Sequence, residues 1–124
     1  MVLAALFAIM IVLLGVPISL RRGKLKANHG DANDETLRRR IRAHGNFIEY
    51  APLAVVVVGL LELSGTSRGV TLAVAVAFGA SRVVHALGML YTSGPAIRAG
   101  AMLVQNAAFI TSAVFLGKAV LDVA

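Results

Sequence analysis

The sequence predicts an all-α integral membrane protein, a four-helix up-down bundle. Three observations carry that prediction. Of the 124 residues 58% are hydrophobic and mean hydropathy is +0.82, against about 45–50% apolar content in an ordinary soluble domain. The apolar residues gather into four runs, each close to the roughly 20 residues that a helix rising 1.5 Å per residue needs to cross a 30 Å hydrocarbon layer. The segments between the runs are polar or rich in turn residues.

The first run, residues 1–20, is uncharged, and its basic residues follow it rather than precede it. A cleaved signal peptide has the opposite charge order and a small-residue cleavage site, so the run reads as a retained membrane helix. The second run, 45–63, has Glu49 near its start and Glu62 near its end. The third, 69–90, contains Arg82 and His85. The fourth, 99–117, carries no formal charge. Backbone groups in lipid must bond internally, which favours helices, and no alternating pattern of barrel strands is visible. The whole chain reads as one domain.

The connections fit the division. Residues 21–44 form a long polar loop, Ser64-Gly65-Thr66-Ser67-Arg68 a short second link, and Tyr91-Thr92-Ser93-Gly94-Pro95 a third. Short links imply antiparallel neighbours. The long loop holds eight of the twelve basic residues (Arg21, Arg22, Lys24, Lys26, Arg38, Arg39, Arg40 and Arg42), the second link holds Arg68, and Arg98 follows the third. The rule that basic loops stay inside places the first and third loops in the cytoplasm. The net charge of +6 is thereby explained without nucleic acid, and the basic loop is placed to touch anionic headgroups. Asn33-Asp34-Glu35-Thr36 has the character of a helix start, so the second helix is expected to begin near Asp34, outside the membrane.

Arg42, Asn46 and Glu49 stand at i, i+4 and i+7 and share one helical face, with Arg38 and Arg39 above them and Leu53 below. The stripe passes from basic through mixed polar to apolar as it descends, the form expected of a pocket for an amphipathic, partly anionic ligand. Ionisable groups at membrane depth are costly and seek partners. Glu49 is therefore read either as a site residue or as half of a structural pair, with Arg82 as its expected partner. Arg82 and His85, at i and i+3, share a face of the third helix. His85 taken alone reads as a hydrogen-bonding group of the bundle. Arg98 lies at the same end of the bundle as Arg42, with snorkelling to headgroups as the alternative. His29, His44 and His85 do not form a metal-ligand pair on one helix, and there is no cysteine, so no metal site is expected.

The stretch from Leu37 to Leu53, LRRRIRAHGNFIEYAPL, resembles the signature of the MAPEG family, the membrane-associated proteins in eicosanoid and glutathione metabolism. Arg42, Asn46, Glu49, Tyr50 and Pro52 match the family's second-helix motif, and Gly30-Asp31 and Arg82–Gly88 are similar to small bacterial members. The resemblance implies a homotrimer of four-helix subunits, with glutathione as co-substrate bound between subunits on the cytoplasmic side, and the Ala-, Val- and Arg-rich composition suggests a bacterial inner membrane. Arg42, Asn46, Glu49 and Tyr50 would line that site, with Arg38 and His85 beside it. Arg98 would be the catalytic arginine that stabilises the glutathione thiolate. His85 and Met89 stand where family enzymes often carry tyrosines.

The expected function is that of a glutathione-dependent transferase or peroxidase-like protein acting on lipophilic electrophiles or lipid hydroperoxides. Its partners would be lipids and hydrophobic small molecules. A non-catalytic lipid-binding scaffold of the same fold is the principal alternative. A small proton-coupled transporter is a third reading, weakened because the first helix carries no acid.

Overall fold

A computed structural model describes residues 1–92 and 94–122; Ser93, in the expected third turn, lies outside the described residues. The chain forms α1 (Val2–Leu25), α2 (Glu35–Leu63), α3 (Arg68–Tyr91) and α4 (Ala96–Leu121). All four helices are long and apolar enough to cross a membrane. Consecutive helices pack on each other; in addition α2 touches α4, and α1 touches α3. α2 therefore contacts every other helix, which makes its faces the natural place for a shared site.

α2 is the longest element at 29 residues because its first turns stand ahead of the apolar run. The start is fixed by Asp34 rather than Asn33: the Asp34 carboxylate accepts from the Leu37 backbone N–H at 2.7 Å, as an N-cap does. Asn33 instead takes a left-handed conformation, φ 56°, in the turn before it. α1 ends with Lys26 in the left-handed region, φ 52°. There the Lys26 and Ala27 amides bond back to Gly23 and Arg22 and satisfy carbonyls that the helix end would orphan.

The intervening loop is pinned at both ends by charge. Arg21 grips Asp34 with both Nε (3.2 Å) and Nη2 (2.6 Å), and Arg38 Nε reaches Asp31 at 2.7 Å. Two of the loop's basic residues are thus absorbed in holding its own shape.

The core follows a membrane logic. On α2 the buried positions Ala43, Phe47, Ala51, Ala54, Val58 and Leu61 recur at three- and four-residue spacing. From Phe47 onward they meet Leu3, Phe7 and Met10 of α1 and Val74 and Phe78 of α3. Edge-to-face ring pairs, Phe7 with Phe47 (centroids 5.2 Å) and Phe78 with Phe109 (4.6 Å), sit in this core. Alanines and glycines elsewhere on the seams let backbones approach, the usual means of association where lipid is as apolar as the partner helix. Buried Ser81 and Ser112 return their hydroxyls to their own helix, bonding the carbonyls of Phe78 and Ala108. Large side chains such as Val56, Val76, Leu103 and Ile110 point outward, as a lipid-facing surface requires.

The Arg38 bond, then the Asn33 amide, hold Asp31 below the ordinary carboxylate range, and the Arg21 bond, then the Leu37 amide, do the same for Asp34. A carboxylate depressed in the fold stabilises above its unfolded value, about 3.9, and that contribution is lost as pH falls through the folded value. The loop should therefore keep its shape at neutral pH and loosen only below about pH 4. The check is the NMR shift of the Asn33 and Leu37 amides, which should titrate with midpoints below the free-aspartate value. Asp34→Ala should expose residues 26–34 to protease at neutral pH, where the wild-type loop resists.

Candidate functional site

At the end of the bundle that carries the α1–α2 and α3–α4 connections, α2, α3 and α4 enclose a cleft of about 290 Å³. Its walls are Glu35, Arg38, Arg39 and Arg42 of α2, Met89 of α3, Thr92, and Arg98 of α4. Four guanidinium groups face one carboxylate. Helical spacing brings Arg38, Arg39 and Arg42 to one side, since residues three and four apart are neighbours. Arg38 and Arg39 bond Glu35 at 3.2 and 3.0 Å, and Arg39 Nη1 donates to the Thr92 carbonyl at 3.3 Å.

Arg42 and Arg98 are differently placed. Among the described residues no carboxylate lies within ion-pair distance of either. Arg98 Nη1 donates to the Met89 sulfur, at 3.3 Å, a weak acceptor. Two arginines with unspent charge, braced by two that are partly compensated, make a receptor for a compact anion.

α4 comes this close because Gly88 has no side chain. A Cβ there would lie 3.1 Å from both Arg98 Cγ and Ile97 Cγ2. Gly88 thus sets the distance at which Arg98 faces the α2 arginines.

The other predicted residues lie at different levels. Asn46, Tyr50 and buried His85 sit below the cleft, and none lines it. Glu49 is exposed on the outer side of α2. The expected Glu49–Arg82 pair does not form. Arg82 instead lies inside the bundle, 2% exposed, and donates to Asn46 Oδ1 at 2.8 Å. Its guanidinium stands 5.4 Å from the Tyr50 ring centroid. The reason is rotational: positions 46 and 50 look toward α3, whereas position 49, about 100° away from 50 on the helical wheel, looks outward.

Sequence reasoning brought Arg38, Arg42 and Arg98 together at this end but missed Glu35 and Thr92 as cleft walls. Glu35 had a usable signal in its i+3 and i+4 spacing to two arginines. Thr92 had none, because it contributes through its backbone carbonyl.

With this arrangement in view, comparison with known proteins is decisive at the family level. The model of the MAPEG family matches residues 1–118. The chain belongs to the MAPEG family. Among curated relatives it is similar to the inner membrane protein YecN of two Escherichia coli strains, at 29% identity over 89 residues, or 68% of each chain. No solved structure matches. As a MAPEG protein this chain is a membrane protein, and its polar α2 face and arginine cleft stand at one end of a transmembrane bundle.

Gly88→Val should overpack the α3–α4 contact in this MAPEG bundle, at a cost of about 1–3 kcal/mol, and push the first turn of α4 outward. Because the chain has no cysteine, spin labels at Thr36→Cys and Gly100→Cys, on a labelled chain diluted into unlabelled protein, report that distance. It should lengthen in Gly88→Val and stay constant in Gly117→Val, where nothing lies within 4 Å of the added carbon.

Proposed function

We propose that this MAPEG protein binds glutathione at the arginine cleft and activates its thiol for attack on lipophilic electrophiles or lipid hydroperoxides. The observation that carries the reading is the pair Arg42 and Arg98, which face one cleft without carboxylate partners among the described residues. Glutathione has two carboxylates, one amine and one thiol. Arg42, flanked by Arg38, holds a carboxylate through charge-assisted bonds, and Glu35, the carboxylate of the cleft wall, takes the amine. Arg98 lies across the cleft and stabilises the thiolate. An ordinary thiol ionises near about 8.5, so a positioned cation raises the reactive fraction at neutral pH. Thiolate attack on an electrophile then needs no protein nucleophile, consistent with a chain that has no cysteine.

Exposed Glu49 supports self-association as the homotrimer. A carboxylate on the outer surface of a transmembrane helix is costly against lipid, and a second copy seated on this face of α2 would cover it. The name of the YecN relatives, with four apolar helices here, supports an inner membrane location, with the basic first and third connections in the cytoplasm.

One observation favours the lipid-binding scaffold as a second reading. Between α1 and α2 runs an outward groove of about 700 Å³, walled by Val12, Val16 and Ile48 and bordered by Arg22 and His44. Saturable phospholipid binding by a protein indifferent to thiols would support it over the enzyme.

The test is calorimetry with glutathione on detergent-purified protein. Wild type should bind, and Arg42→Ala should weaken binding by about tenfold or more, the worth of a hydrogen bond to a charged group. Arg98→Ala should retain most binding but lose conjugation at pH 7. Its residual rate should rise only toward the free-thiol value near about 8.5, because removing the cation raises the thiol pKa. Failure of a well-folded wild type to bind would end the glutathione reading.

A further inference from the structure

Among the described residues Arg82 is a buried cation without a counter-ion, and its surroundings assign it a task. Its partners are all neutral: Asn46 Oδ1 at 2.8 Å, the Met102 sulfur at 3.4 Å and the face of Tyr50. Its Nε has no hydrogen-bond partner among the described residues. Burying an arginine this way is costly, and an apolar side chain of similar volume would serve packing at least as well. Stability is thus a poor reason for its presence.

The chemistry of the Asn46 bond gives a better one. A guanidinium has five donors and no acceptor. The amide group of Asn46 must therefore turn its oxygen to Arg82, and its Nδ2 hydrogens are left to face elsewhere. We propose that Arg82 is a positioning residue that locks Asn46 donor-side out. The α2 stripe then presents hydrogen-bond donors in series, Arg42 above and the Asn46 amide below, and reads only ligands that offer acceptors at both levels. Tyr50, held under the same guanidinium, is fixed by the same residue. The sequence alone hid this role, because Arg82 and Asn46 lie 36 positions apart.

The identity of the ligand so read rests on the glutathione proposal; the orientation of the amide does not. Two measurements separate them. The first is the side-chain NH2 resonance of Asn46, assigned by its loss in Asn46→Ala. In Arg82→Met it should shift and broaden as the amide becomes free to flip. An unmoved resonance overturns the proposal whatever the protein binds.

The second is glutathione affinity and thermal midpoint for Arg82→Met, Asn46→Ala and the double variant. Arg82→Met should weaken binding about tenfold with a midpoint no lower than wild type. Asn46→Ala should weaken it similarly, and the double variant should be no worse than either, the non-additivity of residues acting through one bond. Losses that multiply overturn the proposal. Should Arg82→Met not fold, Arg82→Lys, which keeps charge and one directed donor, should bind between wild type and Asn46→Ala; affinity equal to that of Asn46→Ala overturns it. A wild type that does not bind glutathione, with an Asn46 resonance still responsive to position 82, would end the glutathione reading and leave the positioning role standing.

Discussion

Inside hydrocarbon a backbone amide or carbonyl has nothing to bond except its own chain, and that constraint governs everything else in this protein. It fixes the elements as four helices of membrane-crossing length. It pushes turns and free backbone groups to the two ends. It also makes each polar side chain below those ends an expense that needs a neighbour. The buried seams are accordingly built from alanine, aliphatic side chains and aromatic rings, with Gly79 and Gly88 on α3, and the buried serines bond back to their own helices.

Against that background the charges of the first loop's ion pairs and of the cleft fall into three groups by what holds them. Asp31 and Asp34 neutralise Arg38 and Arg21 and close the first loop. Glu35 partly compensates Arg38 and Arg39. Arg42 and Arg98 keep their charge unspent toward a common cleft. Opposite signs close together are used to make shape, and the uncompensated remainder is available to a ligand. Arg82 belongs to none of these groups. It is buried among neutral acceptors and ties α3 to Asn46 of α2 and Met102 of α4.

Two features of the site show how far linear spacing reaches. The i, i+4, i+7 relation of Arg42, Asn46 and Glu49 places them on one broad face of α2, and they do share it. Yet that face spans an angle wide enough for its members to meet different surroundings: Asn46 is half-buried against Arg82, while Arg42 and Glu49 are exposed. The expectation that Glu49 would neutralise Arg82 used charge alone. Geometry preferred Asn46 and Tyr50, one turn apart and both turned toward α3. Similarly, Arg98 could be placed at the correct end from the turn before it, but its approach to α2 depends on the missing side chain of Gly88.

The sequence by itself determined the fold class, the four apolar elements, the helical start near Asp34 and the gathering of basic residues at one end. These follow from hydropathy, local capping chemistry and the period of a helix, all of which act over a few residues. The Leu37–Leu53 motif carried the family. Only the tertiary structure decided which arginines are spent on carboxylates and which are not, that Asn46 rather than Glu49 receives Arg82, and that Gly88 sets the width of the cleft. Each of these depends on the rotation and approach of helices distant in the chain, and no local rule fixes either quantity.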